Sequence, residues 1–292
     1  MSLFSIFQKI NKRLYGWNLG AIPGLRPFHR YLVEKLKPKG IVPVSVFGKK
    51  MFIDSRDSAG GTELMLYGVY GPYATYVAQK IVKPGMVVAD IGAHIGYFTI
   101  LFSESVGEKG KVFAFEPEPL NFELLSRTVE ENHMRNVEAV KVALSNKEGM
   151  TKLFLDKTNL GNMSLAKENI PKGQGDGSIE VKKTTLDSFM KGRKIDIIKI
   201  DVQGAEGLVF EGGRDVLKNV KAVLLEYWPY GLRNCGSDPV SFLRMFKDQG
   251  FDIFVIDEGR KEMRPVEPES MPKISSNRPD GKGWCNVLCV RG

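Results

Sequence analysis

Four acidic residues stand at or just beyond the ends of short apolar runs that have the composition of buried strands. They are Asp90, Glu116, Asp201 and Glu226. Carboxylates accept hydrogen bonds from hydroxyl groups, hold cations and act as general bases. Ligands of open parallel sheets bind beyond the carboxyl ends of the strands, so we expect these side chains to face one crevice. Each acid alone is also explained as a helix cap or a surface residue, but the four together indicate a site.

The stretch VVADIGAHIGYFTI, residues 87–100, links the first of these strands to a helix through Gly92 and Gly96. This spacing differs from G-x-G-x-x-G, which places a diphosphate at a helix N-terminus. Asp90 is a poor neighbour for a diphosphate and suits a positively charged group such as an amine or a sulfonium. Glu116 ends the next strand, where a carboxylate can accept both ribose hydroxyls of an adenosine. An adenosine combined with a cation indicates S-adenosylmethionine.

Strands and helices alternate along most of the chain. Strands are predicted at residues 86–91, 111–116, 137–144, 195–200, 222–226, 252–256 and 285–290, with further extended runs at 151–155 and 179–184. Helices are predicted from the glycine loop to about residue 106, from residue 119, and at 205–217 and 239–249. This alternation predicts a doubly wound α/β fold with a mostly parallel sheet covered on both faces. The loop at 257–284 lacks a clear helix, which predicts an antiparallel edge pair for the last two strands.

Residues 1–82 are predicted to form a helical and hairpin extension, and residues 83–292 the cofactor-binding domain. A hairpin is predicted around the Gly-Lys-Lys turn at 48–50, and helical pieces at 60–82 broken at Gly68, Gly71 and Pro72. Residues 1–17 are amphipathic and basic. They are expected either to pack on their own domain or to lie on an anionic membrane surface.

The composition favours a cytoplasmic protein. The chain has 292 residues, a net charge of +8 and only three cysteines, without a paired framework or metal-ligand spacing. Three scattered histidines do not indicate a zinc site, so no metal is predicted.

No apolar run reaches the roughly 20 residues of a membrane span, and no signal peptide is indicated. The charge permits anionic partners, but the basic residues are interpreted as spread along the chain, which does not favour nucleic acid. No pattern in the sequence indicates an oligomeric state.

Five segments together carry a family resemblance. The stretches VVADIGAHIGYFT, GKVFAFEPEPLNFELL, TTLDSF, IDIIKIDVQGAE and VLLEYWP resemble the FkbM-type family of S-adenosylmethionine-dependent methyltransferases over residues 83–230. The resemblance implies the class I methyltransferase fold, a Rossmann-like sheet of seven strands with an antiparallel last strand. It also implies O-methylation of a hydroxyl on a sugar, a glycan or another small natural product.

The resemblance assigns cofactor contacts position by position. Asp90, Gly92 and Gly96 would border the methionine part, and Glu116 would hold the ribose. Asp201 would lie beside the methyl group. The remaining implied contacts are Ala93, His94, Tyr97, Phe98, Pro117, Asn121, Ala143 and Leu144, of which the last two would approach the adenine.

The chain departs from the family pattern at two positions. His94 stands where asparagine is usual, which makes it a candidate base, a cofactor contact or a helix cap. Gln203 replaces a glutamate, which puts any role of that acid in doubt. The segment before the core also lacks an expected acid, leaving Tyr73 and Thr75 as weak candidates.

Methylation of an alcohol requires loss of its proton, so a base within hydrogen-bond reach is expected. Asp201 and Glu206 are the candidates, with Lys199 as an orienting charge. Alternatively, Asp201 and Glu226 would share a hard cation.

Three other functions compete with O-methylation. A nucleic-acid (RNA) methyltransferase is disfavoured because the chain has neither a (D/N/S)PP(Y/F) stretch nor a Pro-Cys nucleophile. A NAD-dependent oxidoreductase is disfavoured by the glycine spacing. Acids at four strand ends argue against a non-catalytic interaction protein.

Overall fold

A computed structural model describes residues 3–14, 25–275, 278 and 280–292. The strands are β1 (Ile41–Val46), β2 (Lys49–Asp54), β3 (Val87–Ile91), β4 (Lys111–Phe115), β5 (Val137–Val140), β6 (Ala143–Leu144), β7 (Gly149–Asp156), β8 (Gly175–Thr184), β9 (Ile197–Ile200), β10 (Ala222–Tyr227), β11 (Phe251–Asp257), β12 (Glu262–Pro265) and β13 (Cys285–Arg291). The helices are α1 (Leu3–Leu14), α2 (Leu25–Leu36), α3 (Gly60–Tyr67), α4 (Pro72–Ile81), α5 (Tyr97–Val106), α6 (Pro119–Glu131), α7 (Leu186–Met190), α8 (Glu206–Glu211), α9 (Arg214–Leu217), α10 (Pro229–Asn234), α11 (Pro239–Asp248) and α12 (Met271–Ser275).

The central sheet has the order β12-β11-β13-β10-β9-β3-β4-β5. Strands β5, β4, β3, β9 and β10 run parallel, whereas β13 is antiparallel to both β10 and β11. The mostly parallel sheet with an antiparallel last strand is confirmed. The predicted antiparallel pairing of the last two predicted strands, β11 and β13, is also confirmed, but β13 lies inside the sheet, between β10 and β11. The loop at 257–284 also supplies β12, which pairs with β11 and makes the sheet eight-stranded.

Two other predicted elements are divided by local backbone geometry. The predicted strand at 137–144 is two strands, because the Val142 N–H donates to the Val140 carbonyl (3.0 Å) and turns β6 away. Strand β6 joins β8 and β7 in a separate three-stranded sheet. The predicted helix at 205–217 breaks at Gly212, where a Cβ would lie 2.2 Å from the carbonyl oxygen of Ser145. Close backbone approach therefore requires glycine there and ends α8.

Helices cover both faces of the central sheet. In β3, Val88 packs with residues of α4 and α5, whereas its neighbour Ala89 packs on the opposite face with residues of α7 to α12. Both residues are fully buried. The doubly wound α/β architecture is therefore confirmed, and it explains why the strands are apolar at consecutive positions.

The extension shares a core with the cofactor-binding part of the chain. Strands β1 and β2 form the predicted hairpin, but its turn is Phe47-Gly48, with positive φ at both residues (50° and 77°), as a two-residue type I′ turn requires. Met51 and Ile53 of β2 pack in one cluster with Ile100 of α5. The hairpin thereby supports the helix that follows the glycine loop.

Helix α1 packs one face on the chain's own core. Phe4 contacts the cluster beneath the hairpin, and the Gln8 amide donates to the carbonyl of Met65 in α3 (2.6 Å). Residues 1–2 and 15–17 of the predicted amphipathic segment lie outside the described residues. Among the described helices, none is long and apolar enough to cross a membrane.

The amino terminus of α4 is capped from a distant turn. Glu258, between β11 and β12, accepts hydrogen bonds from the backbone N–H groups of Tyr73 (3.0 Å) and Ala74 (2.7 Å). We expect Glu258→Ala to lower the free energy of unfolding by about 1–2 kcal/mol, because two first-turn donors lose their acceptor. Urea unfolding measures the loss, with the exposed Glu108→Ala as the control. Equal losses in both variants would contradict this role.

Candidate active site

A cavity of about 460 Å³ opens beyond the carboxyl ends of β3, β4, β9 and β10. It occupies the crevice expected for an open parallel sheet. The predicted site residues that line it are Gly92, Ala93, His94, Tyr97, Phe98, Glu116, Pro117, Asn121, Ala143, Leu144 and Asp201. The structure therefore brings most of the predicted residues to one wall.

Three predicted site residues lie behind that wall: Asp90, Gly96 and Glu206 do not line the cavity. Asp90 is fully buried and accepts a hydrogen bond from the Thr99 hydroxyl (2.6 Å). Gly96 has a positive φ of 97°, and its Cα faces Leu125. These positions shape the backbone of the loop from beneath it.

The glycine loop is pressed against the end of β9. The N–H groups of Gly92 and Ala93 both donate to the Phe115 carbonyl (3.0 and 2.9 Å), and the Asp201 N–H donates to the Ile91 carbonyl (3.0 Å). A Cβ on Gly92 would lie 1.9 Å from the carbonyl oxygen of Asp201. This approach, with a φ of 75°, requires glycine at residue 92 and fixes Asp201 beside the loop.

Glu116 holds two carboxylate oxygens at the cavity wall. One oxygen accepts the N–H of His94 (2.8 Å) and the other that of Glu118 (2.9 Å). Each oxygen retains a lone pair, so the carboxylate can also accept two neighbouring hydroxyl groups. Burial raises the pKa of Glu116 to about 7, although the two backbone donors oppose this shift. A ribose diol matches this arrangement.

His94 presents an unpartnered ring nitrogen at the site. Its Nε2 is buried without a hydrogen-bond partner among the described residues. Burial lowers the pKa of the imidazole, with the nearby carboxylates of Asp57 and Asp201 acting in the opposite direction. The ring packs near Gly161, where a Cβ would lie 3.6 Å from Cε1. A neutral imidazole with a free nitrogen is suited to a hydrogen bond with a bound ligand.

Lys199 places the site's central positive charge between two acids. Its Nζ lies 3.9 Å from Asp90 Oδ1 and 3.9 Å from Asp201 Oδ2. The ammonium also lies 5.1 Å from the centre of the Phe98 ring. Burial raises the pKa of Asp90, and both Lys199 and the Thr99 hydrogen bond counteract it. The predicted orienting charge is thus located between the cofactor loop and Asp201.

Gln203 bridges two carboxylates, a contact that sequence reasoning missed. Its Nε2 donates to Asp201 Oδ1 (2.6 Å) and to Glu226 Oε2 (3.2 Å). Burial, together with the charges of Asp201 and Glu206, raises the pKa of Glu226 well above its usual range. The bridging amide occupies the position for which a shared cation was considered. A glutamate at residue 203 would add repulsion where the amide supplies donors.

Glu206 shapes the turn between β9 and α8. Its Oε1 accepts the N–H groups of Val202 (3.0 Å) and Gly204 (3.3 Å). The side chain is 1% exposed, and burial raises its pKa to about 7. Glu206 therefore lies where it positions Asp201 and Gln203 through the backbone rather than at the cavity surface.

The long loop at 156–178 is tied to the extension across the cavity. Both the N–H and the hydroxyl of Ser58 donate to the Thr158 carbonyl (2.9 and 2.6 Å). Asn169 donates through its amide to the Gln203 carbonyl (2.8 Å). Leu160, Gly161 and Asn162 of this loop line the cavity.

Neither Tyr73 nor Thr75 lines the cavity. Thr75 is buried and bonds to the carbonyl of Tyr70 (2.7 Å) and the hydroxyl of Tyr97 (3.0 Å). Tyr70 lines the cavity instead, and burial together with Asp201 and other nearby acids raises its pKa. The segment before the core therefore contributes an aromatic ring rather than an acid.

Aromatic residues form the outer part of the cavity. Trp228 and Tyr230, at the start of α10, have ring centres 5.7 Å apart. The Trp228 indole donates to the Lys282 carbonyl (3.0 Å), and Lys282 Nζ lies 4.2 Å from the centre of the Tyr230 ring. Trp284 also lines the cavity. The signal in the sequence was the run Tyr-Trp-Pro-Tyr directly after Glu226.

Raised pKa values in the site predict a pH-dependent stability. The folded pKa values of Glu116 and Glu206 lie near 7, against ordinary values of 4.5. Between those values the folded chain holds more protons than the unfolded chain, so stability falls as the pH rises. We expect the free energy of unfolding to drop by roughly 5 kcal/mol between about pH 5 and pH 8, about half of it from each group. Urea titrations of the wild type and Glu206→Gln measure the drop, which the variant should reduce; a free energy that rises with pH would refute this.

The comparisons with known proteins agree with this geometry. A family model described as "Methyltransferase FkbM domain" matches residues 90–253. Methyltransferase sdnD of Sordaria araneosa is 26% identical over 224 residues, covering 66% of this chain and 82% of that protein. The 2-O-methyltransferase NoeI of Sinorhizobium fredii is 26% identical over 167 residues, covering 52% and 67%. The hexuronic acid methyltransferase AglP of Haloferax volcanii is 26% identical over 168 residues, covering 56% and 62%.

Sheet topology, the cavity at its carboxyl edge and the family match together define an S-adenosylmethionine-dependent methyltransferase with a class I fold. More narrowly, the chain belongs to the FkbM methyltransferase family. The site fits this cofactor on its own observations. Glu116 offers two paired acceptors, His94 has an unpartnered buried nitrogen, and the described wall continues along Ala143 and Leu144.

Proposed function

We propose that this enzyme methylates a hydroxyl of a sugar, a glycan or another small natural product. The observation that carries the proposal is the continuity of the cavity, which runs from Glu116 past Asp201 to the aromatic wall of Trp228 and Tyr230. Flat aromatic faces suit the apolar faces of sugar rings and other cyclic ligands. The names of NoeI, a 2-O-methyltransferase, and AglP, which acts on hexuronic acid, support the same class.

S-adenosylmethionine supplies an activated methyl group when bound. The chain contributes alignment and proton removal. Glu116 would accept the ribose hydroxyls, and the free nitrogen of His94 would contact the cofactor. Tyr70, Tyr97 and Phe98 would exclude water from the same end of the cavity.

Asp201 is the base that we assign. Its side chain is 29% exposed and lines the cavity, and the Gln203 amide fixes one of its oxygens. The second oxygen faces Lys199 at 3.9 Å, and the carboxylate would take the acceptor's proton. Burial and the charges of Asp201 and Glu206 raise the pKa of Glu226, which favours its protonated form; a protonated carboxyl there would offer a hydrogen-bond donor beside Asp201.

The test uses S-adenosylmethionine with a radiolabelled methyl group and three acceptor pools: neutral oligosaccharides, uronic-acid-containing oligosaccharides and transfer RNA. We expect alkali-stable label in an oligosaccharide pool, because an ether methyl survives base. Alkali-labile label released as methanol would instead indicate esterification of a carboxyl group. Label confined to RNA would replace the proposal with the nucleic-acid alternative.

Asp201→Asn separates chemistry from cofactor binding. We expect kcat to fall at least a hundredfold, since a general base contributes about 10²–10⁴. Affinity for S-adenosylhomocysteine should stay within about threefold. The matched control is Asp248→Asn, because Asp248 is exposed in the last turn of α11 and does not line the cavity; its kcat should stay at the wild-type value. An unchanged kcat for Asp201→Asn would remove Asp201 as the base.

We also propose that the protein works in a reducing compartment such as the cytoplasm. Its three cysteines are unpaired, and burial raises the pKa of Cys235 to about 11 and of Cys285 to about 12. Buried thiols with raised pKa values are poorly reactive. Cell fractionation of the tagged full chain tests this assignment.

A further inference from the structure

Helices α1 and α2 expose an apolar surface on the side away from the core. Leu3, Ile6 and Ile10 are 74%, 44% and 49% exposed, and their spacing places them on one side of α1. Phe28 and Tyr31, three residues apart in α2, are both 57% exposed. We call these five side chains the apolar strip.

The opposite sides of both helices face inward. In α1, Phe4, Gln8 and Asn11 point toward the chain's own core or α2; the Asn11 side chain contacts His29. In α2, Val33 is buried. The apolar strip is therefore not the core-facing side of either helix.

The strip is also a local concentration of exposed apolar side chains. Ten large hydrophobic residues are exposed in the part of the chain that the structure describes, and five of them belong to the strip. The two helices contribute only 24 residues. Scattered single apolar residues are ordinary on protein surfaces, whereas a cluster of this kind marks an interaction surface.

Almost all of the net charge lies in the same part of the chain. Residues 1–40 contain eight lysines and arginines and one glutamate, a net charge of +7 out of +8 for the whole protein. The lysines and arginines themselves are spread along the chain, as expected, but beyond residue 40 their 34 positive charges are balanced by 33 acidic residues. Lys9 and Arg13, four residues apart in α1, and Arg30 and Lys35 in α2 are exposed near the strip.

We propose that α1 and α2 dock on the anionic surface of a lipid bilayer. The apolar strip would enter the boundary between headgroups and acyl chains, and the surrounding lysines and arginines would attract acidic headgroups. Charge favours this occupant over a second copy of the chain, because two copies of residues 1–40, each with a net charge of +7, repel each other. The apolar strip favours a bilayer over a dissolved polyanion, because a polyanion would leave these side chains exposed to water. The proposal is independent of the identity of the methyl acceptor.

Vesicle co-sedimentation with the full-length protein tests the proposal. The vesicles are phosphatidylcholine alone or with about one third phosphatidylglycerol. We expect binding to the anionic vesicles at least tenfold tighter than to the neutral ones, weakened by high salt because exposed charges are screened. Equal binding to both vesicles, or to neither, would overturn the proposal.

Paired variants separate the two contributions. Ile6→Ser with Phe28→Ser should weaken binding at least tenfold, whereas the control Met150→Ser with Met263→Ser, also exposed in the structure, should not. Arg13→Gln with Arg30→Gln should weaken it likewise, against the control Lys147→Gln with Lys172→Gln at exposed positions elsewhere. Circular dichroism and the melting temperature verify that each variant is folded.

Two outcomes of these experiments would replace the membrane with another occupant. A concentration-dependent dimer in sedimentation velocity that disappears in Ile6→Ser with Phe28→Ser would identify a second copy as the partner. Binding to both anionic vesicles and heparin that is unchanged by the serine variants would identify a charge-only surface. Either result overturns insertion of the strip into lipid.

Discussion

Glu116→Gln is expected to weaken binding of S-adenosylhomocysteine at least tenfold. The carboxylate already accepts two backbone N–H groups, and its two remaining lone pairs are the acceptors available to the ribose. An amide places an NH₂ group against one of those backbone donors and at one of the hydroxyls. Hydrogen bonds to charged groups contribute roughly 1.5–3 kcal/mol each, so losing one or two of them corresponds to about 10–10⁴ in affinity.

Calorimetric titration with S-adenosylhomocysteine measures this effect, and NADH serves as the ligand control. The variant Glu123→Gln is the matched control, because Glu123 is an exposed carboxylate in the neighbouring helix. It should bind within about twofold of the wild type. The assignment of Glu116 to the ribose would be untenable if Glu116→Gln bound as tightly as this control.

Gly92→Ala is expected to cause the largest loss of stability. Its Cβ would lie 1.9 Å from the carbonyl oxygen of Asp201, and the contact is with backbone that cannot rotate away. We expect a loss of more than about 4 kcal/mol, or failure to accumulate as a folded protein. The end of β9 would have to move, and Asp201 and Gln203 would move with it.

Gly85→Ala is the matched control for backbone conformation. Gly85 also has a positive φ (81° against 75°), but nothing lies within 4 Å of the Cβ it would carry. Its replacement should therefore cost only the left-handed strain, about 1–2 kcal/mol. Urea unfolding of both variants, with soluble yield as the second measurement, separates strain from collision. Similar losses in the two variants would show that the contact with Asp201 yields easily.

The sequence was informative where function depends on strand ends. A carboxylate directly after a buried apolar strand must lie at the carboxyl edge of the sheet. The pattern alone therefore placed four acids at the ends of their strands: Asp90, Glu116, Asp201 and Glu226. The structure adds that Asp90 lies buried beneath the glycine loop. It also shows that glycine is required at residue 92 because the end of β9 lies so close. Neither point follows from spacing, because both depend on which strands become neighbours.

Long-range contacts account for what sequence reasoning missed. Gln203 was noted as a departure from the family pattern, but its hydrogen bond to Glu226 spans 23 positions and depends on the adjacency of β9 and β10. The same limit applies to β13, because no local sequence pattern shows which two strands it will lie between. The split of the strand at 137–144 depends on pairing between β6 and β8.

The contact between Ser58 and Thr158 has a consequence for where the catalytic unit begins. The two residues are 100 positions apart, and the first lies outside residues 90–253, by which the family is recognised. A fragment cut at the boundary of the recognised domain would retain the carboxylates but release one side of the cavity. We therefore expect residues upstream of the glycine loop to be needed for activity, and a minimal active version of this protein to start no later than β1.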